Sequence, residues 1–233
     1  MIYAANFKTN HTRKSTENYI IELNEKLRAK NPDDKVYIFP PATALNDYES
    51  DFTIGTQNAY ATHNGAYTGE IGLEQLDELG IKTILIGHSE RREHMEESQE
   101  KVATKFSFFQ EQGFEIIYCI GEPLEIREKG FEAVMQYLLA QFEGININYE
   151  NIIVAYEPIW AIGTGRSATV EEISTTHRAL KKAINEKPLL YGGSAKPANI
   201  KEIISIAGVD GVLVGSASLD ADSFSQMVLS NIK

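Results

Sequence analysis

A single cysteine, Cys119, stands among 233 residues, so no disulfide can form within the chain. That fits a reducing compartment, and the thiol is expected to behave as a small buried hydrophobe. Basic residues are outnumbered, with 22 Lys and Arg against 33 Asp and Glu, for a formal net charge of -11. No Lys/Arg-rich block offsets this excess. Nucleic acid is therefore excluded as a partner, because its affinity comes largely from Lys and Arg at phosphates. No uncharged apolar run approaches the length of a membrane span, and the opening MIYAANFKTN lacks the regions of a signal peptide. These absences point to a soluble, cytoplasmic protein with no membrane partner. G-x-S-x-G and H-E-x-x-H are missing, and the five histidines are scattered, which argues against a serine nucleophile and a metal cluster. No Pro/Gly/Ser-rich linker divides the chain, so residues 1–233 are expected to form one domain.

What is present is a repeated pattern. Eight short apolar runs occur at Ile2 to Ala5, Val36 to Phe39, Phe52 to Gly55, Thr83 to Ile86, Ile116 to Ile120, Ile152 to Ala155, Leu189 to Tyr191 and Val212 to Val214. Most are continuous rather than alternating, as in parallel strands buried on both faces. Helical patterns lie between them. Ser15 to Leu27 sets Tyr19, Ile20, Leu23 and Leu27 on one face, and Val102, Phe106 and Phe109 line another, with Gly113 as a stop. Thr169 and Glu172 have the spacing of a capping box, and Pro197 suits the first turn of the helix after Ser194. Strict alternation of strand and helix predicts an α/β fold, and eight units favour a single (β/α)8 barrel.

A barrel of this kind carries its chemistry just past the C-terminal ends of its strands. Those positions hold Asn6 and Lys8, His88 and Glu90, Glu122, Glu157, the turn Gly192-Gly193-Ser194, and Gly215-Ser216. Each has an ordinary alternative: a solvated carboxylate, a loop-capping histidine, a surface lysine. Gathered in one mouth, they supply a base, a histidine, a cation and two glycine-rich turns that present backbone N–H groups to an anion. That set suits acid/base chemistry on a small phosphorylated molecule. Gly163-Thr164-Gly165-Arg166-Ser167-Ala168 matches a dinucleotide pattern, but it does not follow its strand directly and sits in the sixth unit, so a nicotinamide cofactor is not expected. The ERREHMEE run, residues 90–97, has the composition of a charged surface with internal ion pairs.

These residues carry a resemblance. NFKTN at 6–10, QNAYATHNGAYTGE at 57–70, IGHSERR at 86–92, CIGE at 119–122, YEPIWAIGTG at 156–165, YGGSAKP at 191–197 and DGVLVGSASL at 210–219 are similar to the triosephosphate isomerase family, nearly end to end. The resemblance implies cofactor-independent interconversion of dihydroxyacetone phosphate and glyceraldehyde 3-phosphate. It implies that Glu157 is the base, His88 the electrophile, Lys8 a positive charge at the developing enediolate, Asn6 a substrate-positioning group and Glu90 a tuning group. It assigns phosphate binding to amides at Gly163, Ser194, Gly215 and Ser216. It makes Pro158, Ile159, Trp160, Ala161, Ile162, Gly163, Thr164 and Gly165 a lid, hinged at the glycines. It implies a homodimer in which the GAYTGE segment, with Thr68 and Glu70, meets the partner, and it leaves Glu122 and Gln57 as bracing. The alternative is a barrel that binds a phosphorylated ligand without catalysis, although a pure binding site has no use for a base facing a histidine. A lyase with a Schiff-base lysine inside a strand finds no candidate residue.

The chain also departs from the family's pattern. Phe7 stands where Trp is usual, Arg166 where Lys is common, and Ser216 where a second glycine is usual. If position 216 needs a positive φ, serine there is strained. The chain is also shorter than most of the family, so some loops or helices are expected to be trimmed.

Overall fold

The computed structural model describes residues 1–162 and 167–231. Its strands are β1 (Ile2–Asn6), β2 (Lys35–Phe39), β3 (Thr53–Ile54), β4 (Thr83–Ile86), β5 (Glu115–Ile120), β6 (Ile152–Tyr156), β7 (Leu189–Tyr191) and β8 (Gly211–Val214). The helices are α1 (Arg13–Lys26), α2 (Leu73–Glu78), α3 (Ser89–His94), α4 (Gln99–Glu111), α5 (Leu124–Arg127), α6 (Phe131–Ala140), α7 (Val170–Ala183), α8 (Ile200–Ile204) and α9 (Ala221–Leu229). The strands pair in the order β3-β2-β1-β8-β7-β6-β5-β4, with every neighbour parallel. Thr56 joins the two ends of that sheet. Its amide donates to the Thr83 carbonyl at 2.9 Å and its carbonyl accepts from Leu85 at 3.0 Å. The barrel expected from the eight apolar runs thus closes through one residue beyond the shortest strand.

Strand side chains alternate between the lumen and the helix layer, the period-2 consequence of the pleat. Ala4, Phe39, Leu85, Ile117, Cys119, Ala155, Leu190 and Leu213 pack together in the lumen. Tyr3 and Ala5 point the other way, against Tyr19, Ile20 and Leu23 of α1. Ile116, Tyr118 and Ile120 share the outer layer with Val102, Phe106 and Phe109 of α4. Both strand faces are dry, which is why the runs are continuous. Burying each large side chain contributes about 1.5–3 kcal/mol.

Parity places the first site residues. Asn6 lies two residues beyond Ala4, Glu157 two beyond Ala155 and Gly215 two beyond Leu213, so each continues a lumen-facing register into the mouth. The helices follow the expected faces and caps. Thr12 caps α1 and forms a capping box with Ser15, which starts the helix at Arg13 rather than Ser15. Thr169 and Glu172 cap α7 reciprocally, with bonds of 3.2 and 2.8 Å. Pro197 lies in the turn leading into α8, not inside the helix; the Lys196 carbonyl before it accepts from both Asn199 and Ile200 at 3.0 Å. The 90–97 run is not wholly a solvated face. Glu97 is buried against Lys105 and Arg91, and the Arg92 guanidinium turns inward to the Gly87 carbonyl at 2.7 Å. The short α3 and the bend after it roll these side chains under the barrel rim.

Candidate active site

Glu157 follows the last residue of β6 and is held by its own backbone, whose amide donates to the Ile120 carbonyl at 2.7 Å. Its carboxylate is almost wholly buried. One oxygen lies 3.0 Å from His88 Nε2, and the other accepts the Ser89 amide at 3.0 Å. Two glycines make room for it. A Cβ at Gly121 would fall 2.0 Å from the Glu157 carbonyl, and one at Gly192 would fall 2.9 Å from its Cγ. Burial by itself pushes the carboxyl pKa up. The His88 ring, the Ser89 amide and Lys8 outweigh it, so Glu157 is held below its ordinary value and is ionised at neutral pH.

His88 reaches this contact because Gly87 takes φ +80°, a left-handed turn between β4 and α3. His88 then caps α3, with Nδ1 accepting the Glu90 amide at 3.2 Å. This bond assigns the proton to Nε2, which donates it toward Glu157. Burial works against a charge on the ring. The carboxylates of Glu157 and Glu90 work for it and raise its pKa, while Lys8 opposes them. Protonating Nδ1 would cost the bond from Glu90, so the geometry favours a neutral ring with Nε2–H as the donor.

Lys8 approaches from β1. Its backbone sits at φ +52°, which is uncommon outside glycine. Asn6 Oδ1 accepts the Lys8 amide at 2.9 Å. Gln57 Nε2 donates to the Lys8 carbonyl at 2.8 Å and to the Phe39 carbonyl at 2.9 Å. Gln57 therefore braces the bend that turns the lysine inward, where its ammonium pairs with Glu90. Asn6, Lys8, His88 and Glu157 share a cavity of ≈ 250 Å³ with Gly192, Gly193, Ser194, Gly215 and Ser216. Ser216 opens a 3-10 turn, Ser216–Ser218, and is not among the residues with positive φ. The condition for strain at this departure is not met. Gly193 has no room for a side chain, since a Cβ would meet the Tyr191 hydroxyl at 2.3 Å.

The segment after Glu157 is pinned at several points. Ile159–Ala161 forms a 3-10 turn. Ser194 Oγ donates to the Ala161 carbonyl at 2.7 Å. Trp160 Nε1 and the Tyr156 hydroxyl both donate to one oxygen of Glu122 at 3.0 Å. Glu122 is fully buried, and burial raises its pKa despite these bonds. Arg127 lies over the Trp160 ring at 5.3 Å and pairs with Glu172 at 3.1 Å, tying the tryptophan to the cap of α7. Of the expected lid residues Pro158, Ile159, Trp160, Ala161 and Ile162, Ile162 lines the cavity, and Pro158 lies beside the cavity residue Gly193, where an added Cβ would meet the Pro158 Cγ at 3.0 Å. Gly163, Thr164, Gly165 and the departure Arg166 lie outside the described residues.

Thr68 and Glu70 stand apart from the cavity, on an exposed stretch spanning 63–70. Glu70 lines a second groove of ≈ 670 Å³ that shares Lys8 and Glu90 with the site. Sequence reasoning missed the Ser89 amide on Glu157 and the Arg127 clamp. The first was detectable, because a residue following a helix-capping histidine must present a free N–H. Among the described residues no group of three or more His, Cys, Asp or Glu is arranged to hold a metal ion, and no helix is long and apolar enough to cross a membrane.

Comparison with known proteins agrees with this geometry. The family model described as triosephosphate isomerase matches residues 1–231. A protein named triosephosphate isomerase from a Sulfurovum species is 67% identical over 228 residues, covering 98% of this chain and 99% of its own. Proteins of the same name from a Nitratiruptor species and from Sulfurimonas denitrificans are 55% and 53% identical, covering 98% and 97% of this chain and 97% and 94% of their own. A match spanning nearly the whole length, with a buried carboxylate facing a helix-capping histidine at the barrel mouth, places this chain in the triosephosphate isomerase family.

Proposed function

We propose that this chain interconverts dihydroxyacetone phosphate and D-glyceraldehyde 3-phosphate by proton transfer through an enediolate, with no cofactor. The observation that carries this reading is the 3.0 Å contact between Glu157 and His88 Nε2 on the wall of a small polar cavity. A proton next to a carbonyl is weakly acidic, so its removal needs a base on carbon and donors on the oxygen. Glu157, ionised and desolvated, is the base. His88 Nε2–H is the donor, and substrate oxygen replaces Glu157 as its acceptor. The Lys8 ammonium adds positive charge to the developing oxyanion. Asn6 fixes Lys8 and the substrate, and Glu90 pairs with Lys8 while its amide donates to His88 Nδ1. The phosphate is bound by amides at Ser194, Gly215 and Ser216, with Gly163 as a further donor.

The segment from Pro158 to Gly165 acts as the lid. Its described half is anchored through Trp160 to Glu122 and through Ala161 to Ser194. Closure excludes water, which strengthens each of these electrostatic contacts. The exposed segment bearing Thr68 and Glu70 is the dimer contact in this reading, and the groove beside Lys8 receives its counterpart from a second copy. Exposed Tyr67 and Met95, at 46% and 63%, fit an apolar surface covered on assembly.

The test is isomerisation by the purified chain, with no added metal or cofactor, beside Glu157→Gln. Fast conversion that collapses in the variant while the fold is retained establishes both reaction and base. Conversion that survives in Glu157→Gln removes Glu157 from that role, and an inactive wild-type chain overturns the reading.

A further inference from the structure

His11 is the second residue of the β1–α1 loop to adopt a left-handed backbone, at φ +70°, and the site described above makes no use of it. That region is uncommon outside glycine, and the surroundings restrain this side chain at several points. Here the imidazole packs on Phe7 with ring centroids 4.7 Å apart and on Tyr19 at 5.7 Å. Its Nε2 lies 2.9 Å from the Leu219 carbonyl, 208 residues away in sequence. A carbonyl only accepts, so Nε2 carries the proton. Nδ1 faces Ser15 Oγ at 3.2 Å. Beside it the Tyr19 hydroxyl, buried, donates to the Ser218 carbonyl at 2.8 Å.

Both acceptors belong to one structure, the turn that follows β8. Gly215 and Ser216 open that turn on the cavity side. Inside the turn the Ser218 hydroxyl lies 2.7 Å from the Gly215 carbonyl and 3.0 Å from the Val214 carbonyl, while its amide donates to Gly215 at 2.8 Å. The far end, Ser218 and Leu219, is held by Tyr19 and His11. The loop after β1 therefore makes two left-handed bends with two outcomes. Lys8 is sent into the cavity, and His11 is brought back over the turn. A Cβ on Gly215 would meet the Lys8 side chain at 3.3 Å, so the two loops are already in close contact at the cavity itself.

We infer that His11 is a positioning residue for the phosphate end of the site: with Tyr19, it fixes the β8 turn so that the Gly215 and Ser216 amides point at the ligand's phosphate. This rests on the phosphate assignment made under the proposed function. It locates a determinant of phosphate affinity outside the cavity wall, on a residue that touches no substrate.

The test uses the full chain with His11→Gly, His11→Gln and Tyr19→Phe. Glycine accepts the left-handed backbone while removing the tie. Glutamine keeps a donor at about the reach of Nε2. Tyr19→Phe removes the neighbouring tie and keeps the ring. Two quantities are read: kcat and KM for glyceraldehyde 3-phosphate, and inorganic phosphate affinity by calorimetry. Loss of uniform binding predicts that His11→Gly raises KM and the phosphate Kd together, by about three- to tenfold, with kcat changed less than about twofold. Tyr19→Phe shifts both in the same direction, and His11→Gln stays near wild type. Unchanged phosphate affinity in both His11→Gly and Tyr19→Phe overturns the inference, as does a fall in kcat with KM unchanged. If the wild-type chain turns over no triose phosphate, the functional reading fails by itself, and the phosphate titrations still decide whether His11 sets the turn.

Discussion

Acid should destabilise this fold through His177 before any catalytic group is involved. His177 lies on α7 with no exposed surface, its Nδ1 3.1 Å from the Gly208 carbonyl. Nδ1 must therefore carry the proton, which leaves Nε2 bare, and among the described residues Nε2 has no hydrogen-bond partner. The rings of Tyr156 and Tyr191 lie 5.8 and 6.3 Å away and offer no countercharge. Burial pushes the imidazole pKa down to about 4, against the milder upward pulls of the Gly208 bond and Asp210. The unfolded chain takes up this proton near pH 6.5, whereas the native chain resists until about pH 4. Between these values the unfolded state binds more protons, so stability is full above pH 6.5 and falls as the pH drops. Integrating the linkage from pH 7.5 to 5.5 gives a loss of about 1.3 kcal/mol, rising to about 3 kcal/mol by pH 4. The assay is urea unfolding of wild type and His177→Asn at pH 7.5, 6.5 and 5.5 and constant ionic strength. Asparagine retains a donor for Gly208 and does not titrate. The variant starts less stable because of the volume it loses, so the diagnostic quantity is the gap between the two proteins. That gap should narrow by about 1.3 kcal/mol over the two pH units. A gap that stays constant refutes the buried neutral histidine.

Two further predictions concern the frame around the base and the rim of the barrel. In Gly192→Ala the new Cβ meets Glu157 Cγ at 2.9 Å. Displacing the carboxylate by a fraction of an ångström to 1 Å should lower kcat by up to on the order of 10²-fold with the fold intact, read by steady-state kinetics beside circular dichroism; unaltered kcat would show that Glu157 has slack. Glu97→Gln leaves Lys105 and Arg91 facing a neutral, buried amide. Breaking a buried pair on one side should cost about 3 kcal/mol at pH 7, measured by denaturant midpoint. Burial tends to raise the Glu97 pKa, but Lys105 and Arg91 hold it below its ordinary value of 4.5, so the wild-type contribution is present above pH 4.5 and lost as the pH falls below it.

Much of the fold was legible because parallel strands buried on two faces leave a strong mark. Runs such as Ile116 to Ile120 and Ile152 to Ala155 are apolar without alternation, and they became β5 and β6. A closed barrel was legible in the eight units, but the residue that closes it was not. Closure depends on Thr56, two residues past a two-residue strand, whose bonds to Thr83 and Leu85 leave no periodic trace. The 90–97 run was legible in part: residues 93–96 are exposed and Arg91 pairs with Glu97 within the run, but the burial of Glu97 was not expected. Composition reports charge and not direction: Arg92 turns inward from the short α3, and Glu97 is buried from the bend that follows it.

The site divides along the same line. Asn6 and Glu157 reach the mouth by strand parity, so their positions follow from counting two residues beyond Ala4 and Ala155. His88 needs the parity broken, being three residues beyond lumen-facing Leu85. For His88 the break is announced in the sequence by Gly87, which takes φ +80°. Lys8 keeps the parity of Ala4 and Asn6, but it lies past the strand's end, where no glycine announces the bend; the lysine itself adopts φ +52° and is held there by Asn6 and Gln57. His11 repeats the device three residues later, with the Leu219 carbonyl and two aromatic rings as its restraints. Left-handed residues without glycine are the part of such a site that sequence hides, since the restraint lies on other strands and loops. For Lys8 and His11 the restraints include contacts far away in sequence, to Gln57 and to Leu219, and these run to the cavity or to the turn beside it.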